Sequence, residues 1–226
     1  MDHTGVSLLL DGGFRDGAMT LQGTRPSISG GTILDRIEWS RLPGGIVRQF
    51  WDQSRDEGQT FTLAFDGRYR RVPKIVPDPE IPTGACTASD QPVYRGFDFT
   101  LGAWKVKVLG RKLRSSIAAD VGGCLVEERL KGDHGYEAWV FTSVRRVSGI
   151  WYRTFMDNRG TRIFLTGTEV NGRMVLTGTM PLKGKVVDVR VTWEPAAGGG
   201  FSQAYETSKD GGTTWKRLFA ARYQQS

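Results

Sequence analysis

Two charged residues of this 226-residue chain lie among apolar neighbours, where they could contact a small molecule or each other. Glu128 falls in the segment 124–130 and Arg153 in the segment 150–155, and both alternate with apolar residues. Alternating residues of a strand point to the same side of it. Each charge is therefore expected to share a face with apolar side chains. A buried Glu128–Arg153 pair would be the more interesting case, because an unpaired buried charge is costly.

The same alternation occurs near the end of the chain, where Gln203 and Tyr205 share a strand face. Gln49 and Trp51 repeat this order of an amide followed by an aromatic residue. The candidate ligand-binding residues are Glu128, Trp139, Arg153, Gln203 and Tyr205. Each of these residues could instead face outward, because a register shift of one residue reverses every assignment. Each could also be a structural hydrogen-bond partner, as buried polar residues usually are.

The sequence contains no pattern typical of nucleophilic or metal-dependent catalysis. It has no G-x-S-x-G motif and no cluster of cysteine and histidine with the spacing of metal ligands. His3 and His134 are its two histidines. Acid–base chemistry by scattered carboxylates stays open. We therefore predict no metal site and leave open whether the protein is an enzyme.

The elements that would position these residues occur partly in duplicate. Residues 1–24 match residues 156–179, and residues 39–69 match residues 193–223, with 21 identical positions in total. Average composition predicts about four identities over such a span. The period is far longer than that of a solenoid or propeller unit, so a whole domain was duplicated. Because nothing in the first copy matches residues 97–155, that copy is only the C-terminal half of the domain.

Three regions follow from this pattern. Residues 1–71 are the partial copy, residues 72–95 are a linker, and residues 96–226 are the complete domain. The linker holds five of the nine prolines, a density that favours an extended segment. Short alternating runs between turns predict an all-β fold, a barrel or a sandwich. The segment 111–121 is predicted to form a short helix.

Turn signals separate the predicted strands. Asn171-Gly172 is the signal of a type I′ hairpin. The pattern S-x-D-x-G-x-T-W from Ser208 to Trp215 is an Asp box, in which the side chain of Asp210 accepts backbone hydrogen bonds and the Trp packs against the base of the hairpin. Sialidases carry such boxes as structural hairpins on propeller blades. We expect a structural role here as well, and not glycosidase activity.

The net charge of +7 comes from basic residues that are scattered along the chain. A nucleic-acid-binding protein more often concentrates them in a stripe, so we expect no nucleic-acid partner. No run of about eighteen apolar residues exists, so no membrane-spanning helix is predicted. The first residues lack the basic and apolar regions of a signal peptide. We expect a cytoplasmic protein if Met1 is the native start, and a periplasmic or secreted one if the chain is truncated.

The sequence F-D-F-T-L-G-A-W from Phe97 to Trp104 resembles the opening strand of an uncharacterised bacterial family of calycin-like proteins, within the lipocalin superfamily. Members continue with a Gly-Gly-Cys segment, which here ends at Cys124. They then have a W-x-D-N/S-x-G turn and, near the end, an S-x-D-G-G-x-T-W hairpin.

This chain departs from the family pattern at three positions. Phe155 replaces the usual Trp of the turn, and Thr100 and Ala103 stand where the family carries an aromatic residue and an acid. The resemblance covers residues 86–226 fully and residues 1–71 in part. It is specific for the fold and weak for function, since the family itself has no settled activity.

The resemblance implies a closed antiparallel calycin/lipocalin-like β-barrel. In such barrels a Trp on the first strand, here Trp104 in the element that begins at Gly102, closes one end. A basic residue of the last strand, here Arg222, lies over that Trp in a cation–π contact. The family also implies a disulfide between Cys86 and Cys124, whereas the missing signal peptide argues for two reduced thiols.

Function is expected inside the barrel, which is wide enough for one small ligand. The leading hypothesis is binding of a small hydrophobic or amphipathic molecule. The alternatives are an enzyme that isomerises, cyclises or hydrolyses an apolar metabolite in the same cavity, and a strand-exchanging assembly module. Some calycin-like proteins bind haem through a histidine. We expect no cofactor, with haem on His134 as the less favoured alternative, because a turn histidine is usually solvated.

The half-domain poses a separate physical problem. Half a barrel leaves strand edges unpaired and an apolar face uncovered. Residues 1–71 therefore predict a homodimer or strand exchange with another chain. A truncated or wrongly assigned start is the other explanation of the partial copy.

Overall fold

The computed structural model describes residues 8–27, 29–72, 92–145, 148–196 and 199–225. They form two compact units, one on each side of the predicted linker. Both units consist of antiparallel strands, so the predicted all-β class is confirmed. The described residues contain no helix that is long and apolar enough to cross a membrane.

The N-terminal unit is an open sheet of five strands that pair in chain order. These strands are β1 (Asp11–Arg15), β2 (Ala18–Pro26), β3 (Thr32–Leu42), β4 (Ile46–Ser54) and β5 (Thr62–Tyr69). A tight turn joins the first two. Asp16 and Gly17 have φ values of 51° and 82°, the left-handed conformations that a type I′ hairpin requires.

The C-terminal unit is a closed barrel of ten antiparallel strands. Its strands are β6 (Gly102–Val108), β7 (Arg111–Asp120), β8 (Leu125–Gly132), β9 (Glu137–Arg145), β10 (Ile150–Asp157), β11 (Arg162–Val170), β12 (Arg173–Leu182), β13 (Lys185–Ala196), β14 (Gly200–Ser208) and β15 (Lys216–Gln225). The barrel closes because the last strand pairs with the first, with Tyr223 opposite Val106. Closure removes the exposed strand edges that an open sheet would have.

An aromatic cluster fills the end of the barrel where β6 begins. Phe97, just before β6, is fully buried and meets the rings of Trp151 and Trp193 edge-on at 4.9 and 5.1 Å. Trp104 lies in the same core and donates from Nε1 to the carbonyl oxygen of Thr100 at 2.8 Å. Large aromatic rings make this end a packed core, in which the buried Nε1 of Trp193 has no hydrogen-bond partner among the described residues.

The predicted cation–π contact between Arg222 and Trp104 is wrong. The Arg222 side chain is exposed, whereas the next residue, Tyr223, is buried. The ring of Tyr223 stacks on Phe201 at 4.2 Å, and Phe201 in turn meets Trp104 edge-on at 5.1 Å. Adjacent residues of a strand point to opposite faces, so the prediction chose the wrong one of two neighbours. Gly102 has a φ of 132°, which favours glycine at the start of this strand.

The predicted helix over 111–121 is also wrong, since this segment is strand β7. Leu113, Ser115 and Ile117 alternate with exposed residues, a period of two that belongs to a strand. Near the end of the predicted linker, Tyr94 in the 3-10 turn Pro92–Arg95 is buried in the barrel core. The other linker residues from 73 to 91 lie outside the described ranges.

The Asp box forms the turn between β14 and β15. The carboxylate of Asp210 accepts hydrogen bonds from the hydroxyl of Ser208 at 2.6 Å and the amide of Thr214 at 2.8 Å. The hydroxyl groups of Ser208 and Thr214 and the Thr214 amide lower the pKa of Asp210 to about 2. The ring of Trp215 lies 4.6 Å from the guanidinium of Arg190. The partners of Asp210 are thus local, and its role is structural.

Candidate functional site

A cavity of about 150 Å³ lies inside the barrel, towards the end opposite the Phe97 cluster. Most of its wall is apolar and comes from strands on all sides. These wall residues are Val106, Val108, Leu113, Leu130, Phe155, Ile163, Met180, Phe219 and Ala221. Because every second residue of a barrel strand points inward, separate short strands build one continuous surface.

Glu128 and Arg153 form a buried ion pair in the barrel, and Arg153 also lines the cavity. Arg153 Nη2 donates to Glu128 Oε2 at 2.7 Å, and the side chains are 8% and 1% exposed, respectively. Arg153 Nη1 donates to the hydroxyl of Thr142 at 2.7 Å. Glu128 Oε1 accepts hydrogen bonds from Ser115 at 2.8 Å and from Tyr223 at 2.9 Å. The two charges pair as expected for buried groups, and three hydroxyl groups form hydrogen bonds with them.

Gln203 and Tyr205 line the same cavity. The Tyr205 hydroxyl donates to Gln203 Oε1 at 3.1 Å, and its ring stacks on Phe219 at 4.4 Å. The side-chain amide of Gln203 also carries a donor, Nε2, beside its bonded oxygen.

Burial raises the pKa of the three phenols that line the cavity, those of Tyr136, Tyr205 and Tyr223. It raises the pKa of Tyr205 to about 12. It also raises the pKa of Tyr223 well above its ordinary value, with a further contribution from the negative charge of Glu128. Both effects disfavour a phenolate. At neutral pH the cavity thus presents neutral hydroxyl and amide groups beside an ion pair whose charges compensate each other.

The inclusion of Trp139 among the lumen residues is wrong. Its side chain is 41% exposed and lies against the guanidinium of Arg129, 4.1 Å away, on the outer surface. The inward positions of β9 are Ala138 and Val140 on either side of it. The register of β9 turns the Trp outward, and the sequence alone did not determine that register.

His134 is exposed in the turn Asp133–Gly135, where its φ is 56°. No three His, Cys, Asp or Glu side chains cluster as a metal site within the described part of the chain. Cys124 is buried and is not a free thiol, but its predicted partner Cys86 lies outside the described residues. Their pairing therefore stays a prediction, which intact-mass measurement without reductant would test.

Sequence reasoning missed three members of the polar network, namely Ser115, Thr142 and Tyr223. Tyr223 carried a signal, because it is one of the positions identical between the two copies, matching Tyr69. The two short hydroxyl residues carried none, since each becomes a partner only through the register of its strand with the neighbouring strand.

Comparisons with known proteins do not extend this description. Neither a scan against protein-family models nor a search of curated proteins matches the chain. What the lumen can bind must therefore be argued from its own geometry.

Proposed function

We propose that the barrel binds one small, neutral and largely apolar molecule in its lumen. The cavity of about 150 Å³ carries this proposal. An apolar cavity of about that volume accommodates a benzene-sized molecule in other proteins. Its size favours a ligand with a single ring or a short chain.

The polar groups of the site restrict the ligand further. The charges of Glu128 and Arg153 are paired with each other, so a charged ligand would find no free counter-ion among the described residues that line the lumen. Gln203 Nε2 offers a donor, which favours a ligand with a carbonyl or hydroxyl oxygen. The stacked rings of Tyr205 and Phe219 offer an aromatic wall beside it.

Benzyl alcohol, toluene and benzoate are suitable probes, with binding measured by titration calorimetry. We expect benzyl alcohol to bind more tightly than toluene, because toluene cannot accept from Gln203, and benzoate to bind least because of its charge. Ala221→Leu, which adds three carbons to the cavity wall, should abolish binding. Ala118→Leu adds the same atoms at an exposed position of β7 and is the matched control.

Native mass spectrometry of protein purified without added ligand would show a retained small molecule directly. Failure of all three probes and of native mass spectrometry to show binding to the wild-type chain would refute the proposal. Equal binding by the wild type and Ala221→Leu would place the ligand elsewhere.

We further propose that this barrel is of the calycin-like class and that the five-stranded sheet is a partial copy of it. A β-carbon on Gly12 would overlap the carbonyl oxygen of Thr20, and one on Gly167 would overlap that of Val175, at the matching place in the other unit. Both units also have a β-bulge at the same position, after Trp51 and after Tyr205. Matching irregularities of this kind support descent from one domain more strongly than matching strands.

A further inference from the structure

One face of the five-stranded sheet carries large apolar side chains that are partly exposed at its edges. The pairing register places Met19, Val47, Phe65 and Tyr69 on one side of the sheet. They are 38%, 37%, 43% and 50% exposed, respectively. Phe14 extends this patch on β1 and is 68% exposed. A contiguous patch of large apolar side chains marks a surface that another surface covers.

The barrel shows what covers the corresponding face. Met174, Phe201 and Tyr223 occupy the positions that match Met19, Val47 and Tyr69, and they are 3%, 1% and 3% exposed. They are buried because strands β6–β10 complete the ring that β11–β15 begin. Those five strands already pair with one another and with both edges of β11–β15, so they are not free to cover a second half-barrel.

We propose that two copies of the chain join their five-stranded sheets into one intermolecular ten-stranded antiparallel barrel. The strand directions determine its symmetry. β1 and β5 run in the same direction, since they are the first and fifth strands of an antiparallel sheet. A two-fold axis perpendicular to the barrel axis pairs β5 with the partner's β5 and β1 with the partner's β1, antiparallel at both seams. Each seam is then isologous, as in most symmetric dimers.

The sequence of β5 selects a register for its seam. With Gly67 on the two-fold axis, Asp66 lies opposite the partner's Arg68 and Phe65 lies opposite the partner's Tyr69, each contact occurring twice. Opposite charges and aromatic pairs across antiparallel strands are favourable. Centring the seam on Asp66 would oppose two carboxylates, and centring it on Arg68 would oppose two guanidinium groups. Both alternatives are disfavoured by like-charge repulsion.

Charge reversal at these two positions tests the seam. We expect light scattering after size-exclusion chromatography to show the full-length wild type as a dimer at micromolar concentration. Asp66→Arg places Arg against Arg across the seam, and Arg68→Asp places Asp against Asp. Each variant alone should have a dimer dissociation constant raised by about tenfold or more. A one-to-one mixture of the two variants restores both opposite-charge pairs and should form heterodimers.

The mixture is the decisive sample, because Asp66 also bonds to Arg48 within its own sheet at 2.7 Å. Loss of that internal pair could by itself weaken the self-association of Asp66→Arg. It could not make Asp66→Arg associate with Arg68→Asp. Arg114→Asp, at an exposed position of barrel strand β7, is a control that should leave the dimer unchanged. A monomeric wild type, or single variants that dimerise as tightly as the wild type, would overturn the proposal.

Discussion

Replacing Arg153 with methionine should destabilise the barrel by about 3 kcal/mol. The Glu128 carboxylate is 1% exposed and would lose its cationic partner at 2.7 Å, while a side chain of similar length keeps the space filled. Removing one member of a buried ion pair typically costs about 3–5 kcal/mol, because the other charge stays buried. Ser115 and Tyr223 still donate to the carboxylate, which places the expected loss at the lower end of that range.

Thermal unfolding followed by tryptophan fluorescence measures this loss, since five of the seven Trp residues lie in the barrel. A loss of about 3 kcal/mol corresponds to a decrease in Tm of about 10 °C for a unit of this size. Arg129→Met is the matched control. Arg129 bonds to Glu127 at 2.6 Å, a shorter distance, but its side chain is 53% exposed. An exposed pair contributes about 0–1 kcal/mol, so this variant should lose little.

The double variant Glu128→Gln/Arg153→Met separates charge burial from packing. Gln can still accept from both hydroxyls but leaves no buried charge, so at least half of the lost stability should return. Equal decreases in Tm for Arg153→Met and Arg129→Met would refute the reasoning. No recovery in the double variant would show that packing, and not the unpaired carboxylate, determines the loss.

Three further predictions concern pH and backbone geometry. Because burial raises the pKa of Tyr205 to about 12, the stability linked to its proton is present below its unfolded pKa of about 10 and is lost as pH rises towards 12. Tyr205→Phe should therefore flatten the decrease in Tm over that range, and an unchanged slope would contradict it. The pKa of Asp210 is lowered to about 2, so its contribution is present above about pH 4 and is lost as pH falls towards 2. In Asp210→Asn the acid limb of the Tm profile should be shallower, and carboxyl titration by NMR would show the wild-type pKa directly. Gly12→Ala should destabilise the five-stranded sheet by about 1–3 kcal/mol, because its β-carbon meets a backbone carbonyl. Gly13→Ala, where a β-carbon meets nothing within 4 Å, should leave urea unfolding nearly unchanged, and equal effects would show that the close approach is not what requires glycine.

Much of the architecture could be predicted because strands and hairpins are encoded locally. The alternation of apolar residues depends on a backbone period of two, and it correctly indicated an all-β chain. Asn171-Gly172 adopts the left-handed conformations expected of a hairpin turn, with φ values of 51° and 75°. The alternation of β7 was present as well, but the segment was predicted as a helix, so this error lay in the interpretation and not in a missing signal.

The site was predicted only in part, because it depends on contacts between residues far apart in the chain. Glu128 and Arg153 were identified from their apolar neighbours, yet their bond spans 25 residues and that of Glu128 with Tyr223 spans 95. The first contact needs the pairing of β8, β9 and β10, and the second exists only once β15 pairs with β6 and the barrel closes. Closure also decides which of two neighbouring residues faces the lumen, as Trp139, Arg222 and Tyr223 illustrate. Local sequence determines that side chains alternate, whereas the long-range register determines which alternate set lies inside.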